Sequence, residues 1–263
     1  MKIEATPMAN QRPIRPLFIL GNPRTGSTLL STLLLQHPSI HVHGELFHSV
    51  ENERKESHKL RGRRKTWFDP EVDDAIIFLD EHVFGVSTDY QDTEVSIVGV
   101  KIFADHVSKG GASHLFRRIR GHYPQAEIIH MRRDDYLDVL ISHEFASRSG
   151  QWVSWSHDSK TRDEIPPFEI DLENARDFWE RMYRADSFFA LSFSGDKYFP
   201  IHYSQLSSNI PSASADLFSR LNVEPHEVTG ATEKQVNGDD LDLILNLDVL
   251  MQEYSAFRRD LEI

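Results

Sequence analysis

The chain reads as an α/β fold, with a P-loop-like central parallel sheet flanked by helices on both faces. Three observations predict it. Short apolar runs of strand length alternate along the chain with longer stretches of helical period. The first run, Leu17-Phe18-Ile19-Leu20, passes through Gly21-Asn22-Pro23-Arg24-Thr25-Gly26 into an apolar helical pattern, the strand–loop–helix layout of a phosphate cradle. The length of 263 residues, with 39% hydrophobic and 27% charged side chains, suits one α/β domain with a substantial core.

Taken in order, the strand-forming runs fall at 17–21, about 40–43, 95–102, 126–131 and 198–202. Helical patterns fill the intervals at about 27–37, 69–84, 111–121, 134–149 and 171–190, then 211–221 and 240–259. Residues 1–16 are polar, contain three prolines and lack an apolar centre, so they are expected to be a flexible tail rather than a signal peptide. Residues 17–263 are expected to form a single domain, since neither an internal repeat nor a low-complexity block divides them.

Composition narrows the function. A formal net charge of −12 disfavours general nucleic-acid binding, because polyphosphate is repelled except at a local basic patch. The absence of cysteine rules out disulfides and thiolate metal sites and agrees with a cytoplasmic location. No run approaches the ~20 apolar residues of a membrane span.

The chemistry-bearing residues lie where strands give way to turns. Gly21 and Gly26 have the spacing of a Walker-type loop, but Ser27 stands where that loop carries its lysine. The nearest cation is Arg24. Such a loop suits a phosphate-like group held by Arg24, the backbone, Ser27 and Thr28, without the means to organise a triphosphate and magnesium. Ile128-Ile129-His130-Met131 runs into Arg132-Arg133, placing two cations at the carboxyl end of a strand, the edge where ligands collect in doubly wound sheets. Glu45 sits in Val42-His43-Gly44-Glu45-Leu46-Phe47, where partial desolvation would make a carboxylate more basic; His43 is the rival base. Lys101 ends the run Ile97-Val98-Gly99-Val100 and is placed either to meet developing negative charge or to snorkel from the strand end.

Pro23-Arg24-Thr25-Gly26-Ser27-Thr28 resembles the 5′-phosphosulfate loop of sulfotransferases that use 3′-phosphoadenosine 5′-phosphosulfate (PAPS), in the form typical of their carbohydrate-modifying branch. Further segments resemble the bacterial Nod-factor and trehalose sulfotransferases in the same order, across residues 17 to about 237. The resemblance implies that Arg133 and Ser142 grip the 3′-phosphate. Their interval is one residue longer than usual in the family, which keeps Arg132 as the alternative. It implies that Glu45 is the catalytic base and that Lys101 belongs to the family's Gly-x-Lys element. Gln151-Trp152, Tyr203 to Leu206, and Lys234-Gln235 resemble later family elements, the last closing over the nucleotide. The implied cofactor is PAPS, with 3′-phosphoadenosine 5′-phosphate (PAP) as product, and no metal. The implied partner is a small-molecule or glycan hydroxyl.

Two insertions bear on the acceptor. Residues 51–66 carry seven lysines and arginines in an otherwise acidic chain, fitting an acidic acceptor, a membrane surface, a lid or a solvated face. Residues 150–168 bring Trp152, Trp155 and His157 together with Pro166 and Pro167, a composition suited to an acceptor loop or to packing. A metal site at His41 and His43 lacks a third ligand. Two rival functions remain at this level: a P-loop nucleotide kinase, which would want a lysine at Ser27 and an acid at a strand end, and a non-catalytic PAPS- or PAP-binding module.

Overall fold

The computed structural model describes residues 13–48, 74–85, 90, 93–107, 114–154, 165–193, 195, 197–230, 232, 234, 236 and 238–261. Five strands form one sheet: β1 (Arg15–Gly21), β2 (Ile40–His43), β3 (Ile97–Phe103), β4 (Glu127–Arg132) and β5 (Tyr198–His202). The spatial order is β2-β3-β1-β4-β5, and every pairing is parallel. The predicted parallel sheet is thus present, with each expected strand within two residues of its place.

Helices cover both faces. Among the described residues they are α1 (Ser27–Leu34), α2 (Ala75–His82), α3 (Leu115–His122), α4 (Tyr136–Ser149), α5 (Leu172–Ser192), α6 (Tyr203–Ser208), α7 (Ile210–Arg220) and α8 (Leu247–Asp260). The period-two alternation of β1 divides the core. Leu17 and Ile19 pack with α1 and α7, against Leu30, Leu33 and Phe218. Phe18 and Leu20 face the other way and meet Phe78 and Leu79 of α2, Phe116 and Ile119 of α3, and Phe189 of α5. A third apolar cluster joins α4, α5 and α8, with the Trp179 ring against Tyr254 and Phe257. Its indole is fully buried, so truncating it to alanine would cost about 3–5 kcal/mol.

Several boundaries differ from the sequence expectation. β1 begins at Arg15, not Leu17, because the Arg15 guanidinium is tied to Glu127 on β4 at 2.7 Å and to the Leu221 carbonyl. Residues 15 and 16 therefore belong to the sheet rather than to a tail. The α6 helix was not expected. The helix predicted at 240–259 is instead a 3₁₀ turn at Asp239–Leu243 followed by α8.

Candidate cofactor cleft and acid–base group

The turn after β1 is built around two glycines. At Gly21 a Cβ would stand 2.6 Å from the Met131 carbonyl, so the close approach of β1 and β4 excludes any side chain. Gly26 has φ +93°, a left-handed conformation natural to glycine, and a side chain there would run into the Tyr203 ring. Arg24 also adopts positive φ, at 64°, although it is not a glycine. Its side chain explains how that conformation is held. Nε and Nη2 donate to the Ser142 hydroxyl at 3.1 and 2.9 Å, and Nη1 donates to the Trp152 carbonyl. Inside the turn, the Thr25 hydroxyl donates to the Asn22 carbonyl at 2.7 Å.

The turn delivers the chain into α1 with Gly26 at the cap position. No side chain caps this end, and no acidic residue stands in the first turn. The amides and the helix dipole at this end meet no acidic side chain of their own first turn and suit an anion.

Beside this turn, the chain leaves β4 through Arg133 and enters α4, capped by the Asp135 side chain. The Arg133 guanidinium donates to Asp138 at 2.8 Å, approaches the Arg24 carbonyl at 3.4 Å, and lies over the Tyr203 ring at 4.9 Å. Because β1 and β4 pair in register up to Gly21 and Met131, both turns emerge at the same carboxyl edge of the sheet.

The two turns line one cleft of about 230 Å³. It is bordered by Arg24, Gly26, Ser27, Thr28, Arg133, Ser142, Trp152, Tyr203 and Lys234, among others. Most of the residues expected to hold the nucleotide are brought together here. Thr25 is buried and committed to the turn itself, and neither it nor Pro23 borders the cleft. Arg132 turns elsewhere. Its Nε is 3.8 Å from Asp186 and its Nη2 is 3.7 Å from Asp134, so Arg133 is the arginine facing the cleft.

A second polar group forms where β2 and β3 end. The Lys101 ammonium lies 2.6 Å from Glu45, and the His106 imidazole lies 3.6 Å from the other oxygen of that carboxylate. Burial by itself would raise the Glu45 carboxyl. The Lys101 charge, the nearby His106 and the Lys101 hydrogen bond outweigh burial and hold it below its ordinary value. His106 is itself pushed down, chiefly by burial. Glu45, His48 and His106 could each offer an atom to a metal within 4.8 Å of one another, but an ion there would meet the Lys101 ammonium already on the carboxylate.

The described contacts of His43 lie with Tyr90 and His41. Its Nε2 lies 2.9 Å from the Tyr90 hydroxyl, and its ring packs edge-on against His41. Glu45, Lys101 and His43 do not border this cleft. Trp155, His157 and the basic stretch 51–66 lie outside the described residues. His48, His106 and Tyr203 were not foreseen as site residues. For the two histidines no sequence signal existed, whereas Tyr203 begins a segment already matched to a family element.

Residues 16–227 match the model of the sulfotransferase family. The chain belongs to that family. A protein of unassigned function from Aquifex aeolicus (strain VF5) is 32% identical over 148 residues, which is 52% of this chain and 18% of that relative. The aligned part is thus under a fifth of the relative's length. Among solved structures, a sulfotransferase from Alicyclobacillus acidocaldarius aligns with 15% identity over 93% of this chain and 95% of its own, at a TM-score of 0.47. The sulfotransferase domain of the curacin biosynthetic pathway aligns with 16% identity over 96% and 99%, at a TM-score of 0.46. No described helix is long and apolar enough to cross a membrane.

Proposed function

We propose that this protein transfers the sulfonyl group of PAPS to a hydroxyl of a carbohydrate or other small polar acceptor. The observation that carries this reading is the convergence of two strand–turn–helix segments, Arg24 to Thr28 and Arg133 to Ser142, on one cleft at the carboxyl edge of the sheet. Cations and hydroxyls from both segments face this one cleft, which suits a ligand carrying two separate anionic groups. Family membership supports the same donor.

In this reading the α1 amides, Ser27, Thr28 and Arg24 hold the 5′-phosphosulfate, while Arg133 and Ser142 hold the 3′-phosphate. Lys234 borders the same cleft and adds a cation. The acceptor oxygen attacks sulfur as the bond from sulfur to the bridging phosphate oxygen breaks. Glu45 takes the acceptor proton and Lys101 offsets charge on the departing phosphate, which requires the transferring group to reach past the border of the cleft toward the ends of β2 and β3, where this pair lies. The paired state of Glu45 sets a requirement: Lys101 must shift toward the donor for the carboxylate to gain basicity. Trp152, Trp155 and His157 are proposed to contact the acceptor.

Isotopically labelled PAPS incubated with purified protein and fractionated metabolites tests the reading. Label is expected in one class of hydroxyl compound, without added metal. Calorimetry with ATP and magnesium separates it from a kinase: ATP binding that strengthens with magnesium, together with no PAP binding, would refute it. PAP binding without any label transfer would favour a non-catalytic module.

A further inference from the structure

The long helix α5 buries a carboxylate that the proposed chemistry leaves unused. Asp186 is 4% exposed, yet it lies amid Phe189, Met182 and the strands rather than at a surface. Its Oδ1 accepts from the Asn22 side-chain amide at 2.9 Å and lies 3.1 Å from His130 Nε2. Its Oδ2 accepts from the Tyr136 hydroxyl at 3.0 Å. The Asn22 amide also donates to the Met182 carbonyl one helical turn earlier. The Tyr198 hydroxyl on β5 lies 2.8 Å from His130 Nδ1, so a ring carrying its proton on Nε2 satisfies both neighbours.

The positions of these partners give the group a purpose. Asn22 lies two residues before Arg24, in the turn that addresses the 5′ end. Tyr136 opens α4, the helix that carries Ser142, and His130 lies on β4 three residues before Arg133. One buried carboxylate therefore ties together both segments from beneath, in addition to the direct hydrogen bonds from Arg24 to Ser142 at the cleft. A buried carboxylate is costly unless its lone pairs are filled, and here several donors fill them, so the network has one low-energy geometry.

We propose that Asp186 is a positioning residue that fixes the span between the two phosphate grips and so sets the preference for a 3′,5′-bisphosphate over a 5′-monophosphate. The inference rests on the cofactor reading above. A ligand with one phosphate needs only one turn in place. A ligand with two gains its second contact only if both turns are held at the right separation, which is the benefit of preorganisation. Loosening the joint should thus weaken PAP much more than AMP, a pattern that general destabilisation does not produce.

The test is calorimetry of PAP and AMP against wild type, Asp186→Asn, Asn22→Asp and the double variant Asn22→Asp/Asp186→Asn. Asp186→Asn is expected to lower PAP affinity about tenfold and AMP affinity by less than about twofold, within the coupling range of contacting residues. Asn22→Asp sets two carboxylates face to face and should lose more. The double variant restores a donor–acceptor pair with the roles exchanged and should recover the PAP preference. Should Asp186→Asn fail to fold, Tyr136→Phe removes one hydroxyl while keeping the ring, and a smaller loss in the same direction is expected. A wild type that prefers PAP, with PAP and AMP weakened equally in the variants, would overturn the role of Asp186 alone. A wild type that does not bind PAP would overturn the cofactor reading and this inference with it.

Discussion

Replacing Glu45 by glutamine separates a catalytic carboxylate from a structural one. The Lys101 ammonium is 7% exposed and the Glu45 carboxylate 24%, so the pair is largely withdrawn from water. At an effective dielectric constant near 20, two charges about 4 Å apart attract by about 4 kcal/mol. Removing one partner of a buried pair costs about 3–5 kcal/mol, because the other charge remains uncompensated. The amide keeps one acceptor oxygen and the site is partly wet, so the expected loss of stability is about 2–3 kcal/mol. For a chain of this size that lowers Tm by roughly 5–10 °C. The transfer rate should fall by about a hundredfold or more if the carboxylate takes the acceptor proton, and PAP affinity should stay within about twofold.

The pH dependence has a definite direction. The folded carboxyl lies below its ordinary value of 4.5, so its contribution to stability is complete above that value and disappears as pH falls through the lower folded value. The Tm gap between wild type and Glu45→Gln should be flat from about pH 6 to 8 and should close below about pH 4.5. Rates are measured well below the variant's Tm, with PAP binding in parallel. A variant that loses Tm but turns over within a few-fold of wild type would refute the role of Glu45 as base and leave it as the partner of Lys101.

Arg24→Ala should weaken PAP binding by about 1.5–3 kcal/mol, with Arg24→Lys intermediate, as measured by calorimetry on folded protein; unchanged affinity would remove the 5′ assignment. Paired substitution of Arg133 and Ser142 should narrow the gap between PAP and AMP affinity, and Arg132→Ala, whose side chain lies toward Asp134 and Asp186 rather than the cleft, should narrow it less. His43→Asn should change turnover little, since its imidazole is engaged with Tyr90; a collapse there, with Glu45→Gln near normal, would move the base to His43. Gly26→Ala should be poorly tolerated, and a thermal melt matching wild type would contradict the closeness of the Tyr203 ring.

The sheet was legible because its strands are short apolar runs buried on both faces, a pattern that survives without knowledge of neighbours. The cleft was legible for a different reason: a backbone that must curl around an anion leaves glycines and an arginine at fixed spacing. What escaped notice had no such local signature. The α6 helix is six residues long with Leu206 alone buried, too short to show a period. The Asp239–Leu243 turn buries nothing, so its acids and leucines passed for the start of a helix. The contacts of Glu45 with His106 depend on two loops meeting in space. Asp186 is the instructive case. The buried positions of α5 run Ala175, Phe178, Trp179, Met182, Asp186 and Phe189, so an acid stands on the apolar stripe itself. That misplaced charge was a readable sign of a partner, though the partners' identity was not.

The stacking of Tyr203 between Gly26 and Arg133 has a consequence for how this sequence can change over time. The ring fills the space that a Cβ at position 26 would need, and it also meets the guanidinium facing the cleft. Residues about 180 apart in the chain therefore share one volume, and neither can vary alone. Trimming Tyr203 would free room above the turn but would also strip Arg133 of the surface it rests on. Among divergent members, the identity of the residue after the fifth strand should follow that of the turn after the first, so this pair should drift together or not at all.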